Sequence, residues 1–434
     1  MLPVGPLAQL VELRTFNPQV VGSSPTGPTF TITPSRRFHG DHGRAVAGIC
    51  FVGWELVRES WNNLARNSVE SDMSTLFSSL DLGRYNLSNR VTMAALTRQR
   101  AGHSGVPNEL HAKYYSQRAS AGLVVTEGTF PAWTNRAFPG QAGIASDEHA
   151  AGWRDVANEV HNANGIIFMQ IMHGGRTSHP DLIDGAQAEA PSALNWDGQV
   201  RGFAGKMSAP VPRALETEEI PRIVEEFRSA ARRAIDAGID GVEIHNANGY
   251  LLHEFLAPSS NQREDEFGGS PENRWRLSEM VIRAIVDEIG ADRVGVRFSP
   301  GHNVQGVIEE DEADMVATYG GLLDAIAPFN LAYVSFLHAQ PESELISTLA
   351  NKARANGVTK VLMNDGFGTV TTQEDAQREL ELDYVDAVVV GRQLIANPDL
   401  VRRWREDLPL NEPDQSTFYV GGERGYTDYP SVSD

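Results

Sequence analysis

Three polar side chains stand at the end of one apolar segment of the chain, and together they could bind an oxygen anion and deliver a proton. The segment Gly241–Tyr250 begins with a short apolar run bounded by glycine, which is typical of a buried strand. It ends with His245, Asn248 and Tyr250. A histidine and an asparagine three residues apart can both donate hydrogen bonds to one carbonyl or phenolate oxygen, and a nearby tyrosine can supply a proton. The alternative interpretation is a strand end whose polar groups only satisfy a turn.

The elements that must position these side chains follow a repeating pattern. From Met73 onward, a β-branched run, a loop and an amphipathic helix recur, which predicts parallel strands. Eight such units fit a closed (β/α)8 barrel better than a doubly wound sheet, which normally has a glycine-rich phosphate loop after its first strand. Here Thr97–Arg100 follows that strand. The predicted strands are Val91–Leu96, Leu123–Thr126, Ile166–His173, Gly241–His245, Val294–Ser299, Leu331–Phe336, Lys360–Met363 and Ala387–Gly391.

Two further elements are indicated by their periodicity. Residues Phe77–Leu87 alternate apolar and polar around Gly83, which predicts an N-terminal β-hairpin that acts as a lid over the amino-terminal mouth of the barrel. The stretch Glu218–Ala237 repeats apolar residues at helical spacing and predicts one of the helices on the outside of the barrel.

A barrel brings the carboxyl ends of its strands to one face, so the polar residues at those ends should share a site. Gln170 could pair with the amide edge of a planar ring, and Arg297 carries a fixed charge suited to a ring that becomes anionic on reduction. Gly391 and Arg392 suit a phosphate, because a backbone N–H and a guanidinium can both reach it. Singly, Gln170 and Arg297 could be satisfied core residues. Together with Thr97, their convergence predicts a site for a phosphate plus a polar ring.

Composition and charge narrow the class of protein. The chain has 434 residues, a net charge of -20 and a pI near 5.0, which argues against nucleic acid or an anionic membrane as partners. We therefore predict a cytoplasmic protein. Its single cysteine, Cys50, excludes a disulfide within the chain and any CxxC metal site.

Residues 1–72 differ from the rest of the sequence. They are rich in Gly, Pro, Ser and Asn, and no apolar period persists. The segment Ala8–Pro25 resembles translated tRNA-gene sequence, as found at over-extended gene starts. We therefore interpret residues 1–72 as a non-structural leader and Met73 as the true start, with a single domain over 73–434. The alternative, a twin-arginine export signal at Arg36 and Arg37, lies deep in the chain and lacks a following small-residue cleavage site.

From Met73 to Pro430 the sequence resembles the Old Yellow Enzyme family of FMN-dependent ene-reductases. Several motifs carry this resemblance, and they occur in the family's order. They are Leu87–Val91 with Leu96–Ala101, Tyr114–Leu123, Gly241–Tyr250, Asn261–Arg274, Val294–Pro300, Val390–Leu400 and Thr417–Pro430.

The resemblance implies a (β/α)8 barrel that holds FMN non-covalently and is reduced by NADPH or NADH in a ping-pong cycle. His245 and Asn248 would bind the carbonyl oxygen of an enone or enal, or the corresponding group of a nitro compound, and Tyr250 would protonate the α-carbon. A monomer or homodimer is expected. The residues implied to contact FMN are Thr97, Gln170, Arg297, Gly366, Gly391 and Arg392, and those implied to line the substrate pocket are Met172 and Tyr426.

Two departures from the family pattern and two alternative functions stay open at this point. Met172 stands where the family usually has tryptophan, and the 364–372 segment, with an acid at Asp365, replaces a short glycine turn. One alternative is a metal-dependent hydrolase, although the sequence has no HxH or HExxH motif. The other is a barrel that binds a flavin without catalysis. Ligands for the metal alternative would be Glu127, His173, His245 and Asp365.

Overall fold

The computed structural model describes residues 75–366 and 368–432, and the predicted leader, Met73 and Cys50 lie outside these residues. Fourteen strands are present in this part of the chain. In chain order they are β1 (Leu80–Leu82), β2 (Tyr85–Leu87), β3 (Val91–Met93), β4 (Leu123–Val125), β5 (Ile167–Ile171), β6 (Glu189–Ala190), β7 (Gln199–Gly202), β8 (Gly205–Ser208), β9 (Arg213–Ala214), β10 (Gly241–Asn246), β11 (Val294–Phe298), β12 (Tyr333–Leu337), β13 (Lys360–Asn364) and β14 (Ala387–Val390).

Eight of these strands form the predicted parallel barrel. The order is β3, β4, β5, β10, β11, β12, β13 and β14, and pairing of β14 with β3 closes the ring. Each predicted strand is confirmed, with ends that differ by a few residues. A closed ring excludes the doubly wound sheet, because such a sheet has two open edges.

Helices connect the strands and pack around the barrel. The predicted helix over Glu218–Ala237 spans Ile220–Asp236, and it buries Ile223 and Phe227 against the barrel. The α-helices are Glu109–Ser116, Asp147–Asn162, Ile220–Asp236, Leu251–Leu256, Pro271–Ile289, Glu312–Ile326, Glu344–Arg354, Gln373–Leu380, Arg392–Ala396 and Leu400–Arg405. No helix in residues 75–366 and 368–432 is long and apolar enough to cross a membrane.

The predicted hairpin is formed by β1 and β2 and closes the amino-terminal mouth of the barrel. Leu82 and Leu87 are fully buried and belong to a cluster of side chains inside the barrel. The turn requires a glycine, because Gly83 has φ +56° and a Cβ there would lie 2.0 Å from the carbonyl oxygen of Asp292. The Tyr85 hydroxyl donates to the carbonyl of Asp240 at 2.8 Å, so the hairpin is tied to the starts of two strands.

A segment between β5 and the helix Ile220–Asp236 contains four short strands that the sequence analysis did not predict. β6 pairs with β9, and β7 forms an antiparallel hairpin with β8. The β7–β8 hairpin packs through Phe203, whose ring stacks on His103 with centroids 3.9 Å apart. The hairpin brings Arg201 to the face of the barrel at which the strands have their carboxyl ends. This face is opposite to the β1–β2 lid.

Candidate active site

A cavity of about 340 Å³ lies at the carboxyl ends of the barrel strands. This volume falls in the range of small-molecule sites. All the predicted site residues except Tyr426 line it: Thr97, Gln170, Met172, His245, Asn248, Tyr250, Arg297, Gly366, Gly391 and Arg392. The structure therefore brings together side chains that are up to 295 positions apart (97 to 392) in the sequence.

His245 is held on β10 directly opposite Arg297 on β11. Its side chain is only 4 % exposed, and its Nδ1 has no hydrogen-bond partner among the described residues. Burial lowers the pKa of His245 well below the usual value near 6.5, and the nearby charge of Arg297 lowers it further. The imidazole is therefore neutral at physiological pH, with one N–H donor and one acceptor.

Asn248 lies in a sharp turn that begins just after β10. Its backbone is left-handed, with φ +57°, a conformation that asparagine adopts more readily than most residues. The turn is fixed from both sides: the Asn248 N–H donates to Ser299 Oγ at 2.8 Å, and Gln305 Nε2 donates to the Asn248 carbonyl at 2.7 Å. The side-chain Oδ1 is buried and has no hydrogen-bond partner among the described residues, so this atom is available to a ligand.

Tyr250 ends the same turn and is the N-cap residue of the helix Leu251–Leu256. Its ring centroid lies 5.1 Å from that of His245, so the two side chains face a common volume. Burial raises the pKa of Tyr250 far above its usual value near 10, and a hydrogen bond with Gln305 opposes this rise in part. The hydroxyl therefore remains protonated at physiological pH and can serve as an acid.

Gln170 is anchored by a carboxylate that the sequence analysis missed. Its Nε2 donates to Glu243 Oε1 at 2.7 Å, and the hydroxyl of Tyr333 donates to Glu243 Oε2 at 3.0 Å. Burial raises the pKa of Glu243, while Arg297 and these two donors oppose the rise. The signal was present in the sequence, because Glu243 lies two residues before His245 and alternate residues of a strand share a face.

Arg297 is 5 % exposed and projects from β11 across its neighbouring strands. It donates to Ser335 Oγ at 3.1 Å and to Asn364 Oδ1 at 2.9 Å. Burial lowers its pKa, and the pKa of a free guanidinium lies high enough that the group stays charged. Its hydrogen-bond partners are neutral, and the nearby Glu243 acts on its charge, so Arg297 is a fixed cation beside the cavity.

Glycines and one arginine line the part of the cavity that follows β13 and β14. Gly391 directly follows β14, and Arg392 comes next and donates to the carbonyl of Thr369 at 3.2 Å. Gly366 has φ +106°, a conformation that few other residues adopt. Asp365, the acid of the 364–372 segment, does not line the cavity, and it accepts a hydrogen bond from Thr371 Oγ1 at 2.8 Å.

Tyr426 does not line the cavity as predicted. Its side chain is fully buried behind the wall, where its ring stacks on Tyr114 with centroids 4.0 Å apart. The residue before it must be glycine, because Gly425 has φ +64° and a Cβ there would lie 1.8 Å from Thr417 Oγ1. Phe418 and Tyr419 line the cavity instead. They belong to the same C-terminal segment as Tyr426, residues 417–430, which we call the tail.

Two buried arginines fasten this tail to the barrel. Arg98 donates to the carbonyls of Phe418 at 3.1 Å and Gly425 at 2.7 Å. Arg100 donates to the carbonyls of Thr417 at 2.9 Å and Phe418 at 2.7 Å. Both arginines belong to the loop after β3, so the tail wall is held by the same loop that presents Thr97.

The residues of the metal alternative do not converge. His173 Nδ1 accepts from the N–H of Gly175, and its Nε2 lies 2.9 Å from Asn135 Nδ2. Glu127 is fully buried 3.5 Å from His111. Neither His173 nor Glu127 lines the cavity, and no group of three metal-ligating side chains occurs in residues 75–366 and 368–432.

The charge of the cavity is opposite to that of the chain. Among its described lining residues, four are arginines and none is an aspartate or glutamate, whereas the whole sequence carries a charge of -20. Arginine-lined cavities attract anions and bind phosphate or carboxylate groups well. The four are Arg98, Arg201, Arg297 and Arg392.

A buried acid in the helix that follows the turn of Asn248 and Tyr250 leads to a testable prediction. Glu254 accepts a hydrogen bond from the N–H of Arg176 at 2.9 Å, and its Oε2 has no partner among the described residues. Burial raises the pKa of Glu254 to about 8, although Arg176 opposes the rise. The folded protein therefore takes up a proton that the unfolded chain lacks, and stability from this group is lost as pH rises from about 4.5 to 8.

We expect the Glu254→Gln variant to remove this loss. Its gain in stability over the wild type should grow from nothing near pH 4.5 to about 4 kcal/mol near pH 8, because glutamine needs no proton on folding. Thermal unfolding at several pH values measures this difference. The exposed Glu264→Gln variant is the matched control for loss of a charge. An equal stability difference between Glu254→Gln and wild type at pH 5 and pH 8 would contradict the prediction.

The chain is similar to known proteins over most of its length. Residues 75–411 match the family model described as the NADH:flavin oxidoreductase / NADH oxidase family. A probable flavin mononucleotide-dependent alkene reductase of Leishmania infantum is 40% identical over 375 residues, which are 84% of this chain and 99% of that protein.

Solved structures agree with this match. The old yellow enzyme homologue from Zymomonas mobilis is 36% identical, with a TM-score of 0.77, and the match covers 82% of this chain and 100% of that one. Morphinone reductase in complex with tetrahydroNAD is 41% identical, with a TM-score of 0.76, and the match covers 83% of this chain and 98% of that one.

Proposed function

Because this chain belongs to the NADH:flavin oxidoreductase / NADH oxidase family, which includes the Old Yellow Enzymes, we propose that it reduces the C=C bond of α,β-unsaturated carbonyl compounds. It is an oxidoreductase of an FMN-dependent family that uses a nicotinamide nucleotide as reductant. In the proposed reaction, NADPH or NADH supplies the hydride and Tyr250 supplies the proton. Related nitro compounds belong to the same substrate class.

The residues present in the cavity fit FMN. Gln170 offers an amide to the polar edge of a flavin, Thr97 offers a hydroxyl, and buried Arg297 offers a positive charge beside it. Gly391 and Arg392 suit the phosphate, because a Cβ at Gly391 would meet nothing closer than 3.7 Å and the backbone there is open to a ligand. FMN held by these residues would supply the hydride chemistry between the nicotinamide and the substrate.

His245 and Asn248 bind the carbonyl oxygen of the substrate in this proposal. Neutral His245 has one N–H to donate, and the side-chain Nδ2 of Asn248 has two. As hydride adds at the β-carbon, negative charge moves toward the carbonyl oxygen, and donors fixed in place beforehand stabilise that charge without rearranging. The bonds from Ser299 and Gln305 to the turn keep Asn248 in position.

Tyr250 completes the reduction by protonating the α-carbon. The hydroxyl is protonated at physiological pH, since burial raises its pKa. Hydride and proton thus add to the two carbons of the C=C bond, and the product is the saturated carbonyl compound. The observation that carries the proposal is the convergence of His245, Asn248 and Tyr250 in one arginine-lined cavity with Gln170 and Arg297.

An absorbance spectrum of the purified full chain tests the proposal. We expect a yellow protein whose flavin band bleaches on addition of NADPH without oxygen and recovers on addition of 2-cyclohexenone. Recovery requires the enone to accept the stored hydride, so one titration tests cofactor, reductant and substrate class. A band that bleaches and does not recover with any enone contradicts the reductase proposal. A flavin that no nicotinamide nucleotide reduces would instead indicate a barrel that binds flavin without catalysis.

A further inference from the structure

A buried histidine–glutamate pair lies directly behind the turn that carries Asn248 and Tyr250. His253 belongs to the helix Leu251–Leu256 and is fully buried. Its Nδ1 accepts a hydrogen bond from the N–H of Gly249 at 2.9 Å, and its Nε2 lies 3.2 Å from Glu309 Oε2. Gly249 is the residue between the two proposed catalytic side chains.

The hydrogen bond at Nδ1 and the contact at Nε2 define the state of the His253 ring. Because Nδ1 accepts from the N–H of Gly249, its proton must lie on Nε2, which faces the carboxylate of Glu309. The other neutral tautomer and the doubly protonated ring would both place a second N–H against the N–H of Gly249. Glu309 therefore favours the one tautomer that can hold the turn.

Glu309 is itself fixed by several donors. The hydroxyl of Tyr319 lies 3.0 and 3.1 Å from its two carboxylate oxygens, and the N–H of Gly301 donates to Oε2 at 2.9 Å. Burial alone would raise the pKa of Glu309, but His253 and these donors outweigh burial and lower it. The acceptor for His253 is thus an ionised carboxylate held in one position.

The turn cannot easily move away from this support. Gly249 has φ +76°, and a Cβ there would lie 2.8 Å from the carbonyl oxygen of Val304 and 2.9 Å from Gln305 Cβ. The loop over residues 299–309 therefore contacts the turn at three places: through Ser299, through Gln305 and through Glu309 by way of His253. The first two bonds hold Asn248, and the third holds Gly249.

We propose that His253 and Glu309 are positioning residues for the proposed reaction, because they hold the Gly249 N–H and thereby fix Asn248 and Tyr250 relative to the substrate. This role rests on the proposed function of the same cavity. Neither residue lines the cavity, so both act through the turn. A displacement of about 1 Å at reacting groups lowers rates by up to about a hundredfold, so a loosened turn should have a measurable effect.

Two substitutions at His253 separate positioning from packing. Asparagine places its oxygen near the position of Nδ1, so H253N keeps an acceptor for Gly249 and loses the contact with Glu309. Glutamine places its polar atoms near the position of Nε2, so H253Q keeps a partner for Glu309 and loses the acceptor for Gly249. We expect H253Q to lower the single-turnover rate of 2-cyclohexenone reduction by about tenfold, and H253N by less than about threefold.

The affinity for a phenol is a second readout, and it does not depend on turnover. A simple phenol presents one oxygen to His245 and Asn248, and its binding can be followed by the change in the flavin spectrum. We expect the dissociation constant of phenol to rise about tenfold in H253Q and little in H253N, at equal flavin content and equal thermal stability. If H253N and H253Q match each other in rate and in phenol affinity, the inference is wrong.

The Glu309→Gln variant provides an independent test should H253Q fail to fold. We expect E309Q alone to lower the single-turnover rate about threefold, and to have no further effect when combined with H253N, because the carboxylate acts only through the ring of His253. Additive effects of E309Q and H253N would overturn the inference. If the wild type binds phenol but does not reduce enones, the proposed function fails, and the phenol measurements still decide the role of His253.

Discussion

Replacing Tyr250 by phenylalanine is expected to lower the rate of enone reduction by about 10²- to 10⁴-fold and to leave reduction of the flavin by NADPH nearly unchanged. The variant keeps the ring that packs on Met172 and Phe138 and loses only the hydroxyl. Burial keeps that hydroxyl protonated, and only the step that uses the enone needs a proton. Stopped-flow measurements of the two half-reactions, each without oxygen, separate the effects.

A matched control is available in the same protein. Tyr426 is also fully buried, and its hydroxyl has no partner among the described residues. The Tyr426→Phe variant therefore loses an equivalent group outside the cavity, and both half-reactions should keep wild-type rates. A Tyr250→Phe variant that reduces enones as fast as Tyr426→Phe would show that water or another group delivers the proton.

Removing the side chains proposed to bind the carbonyl oxygen should lower both the rate of enone reduction and the affinity for a phenol. We expect His245→Ala and Asn248→Gly each to lower the rate of enone reduction by about 10²- to 10³-fold, since each removes one donor to the developing charge. Glycine is chosen at position 248 because the backbone there has φ +57°, where alanine would add strain to the loss of the amide. Single-turnover kinetics with 2-cyclohexenone measure both variants.

Ligand affinity separates these variants from Tyr250→Phe. The dissociation constant of a phenol should rise at least about tenfold in His245→Ala and Asn248→Gly, because the phenol oxygen loses a donor, and should change little in Tyr250→Phe. His338→Ala is the control, since His338 lies at the end of β12 and does not line the cavity. Unchanged phenol affinity in His245→Ala and Asn248→Gly would mean that these side chains do not hold the oxygen.

The barrel and most of the site could be predicted from the sequence because both depend on local patterns. β-branched runs between amphipathic helices define the strands, and parallel strands bring their carboxyl ends to one face. Gln170, His245 and Arg297 needed no further information to be placed together. Glu243 carried the same signal through strand alternation, and it could have been included on that basis.

The remaining parts depend on contacts between distant segments, which no local period encodes. Gln305 and Glu309 lie in a loop without regular structure, and their role arises from contacts with a turn about 50 positions earlier. The position of Tyr426 shows the same limit, since a sequence motif does not encode the stacking of its ring on Tyr114, more than 300 positions earlier. Arg98 is a further case, since its two carbonyl acceptors lie more than 300 positions away.

The attachment of the tail by Arg98 and Arg100 sets an order of events during synthesis. A ribosome delivers all eight barrel strands before it delivers residues 417–426, whose carbonyls accept from these guanidiniums. Until then, the two guanidiniums lack the tail carbonyls to which they donate, and the wall formed by Phe418 and Tyr419 is missing. A nascent chain that has just completed its barrel therefore still has one open wall at its cavity.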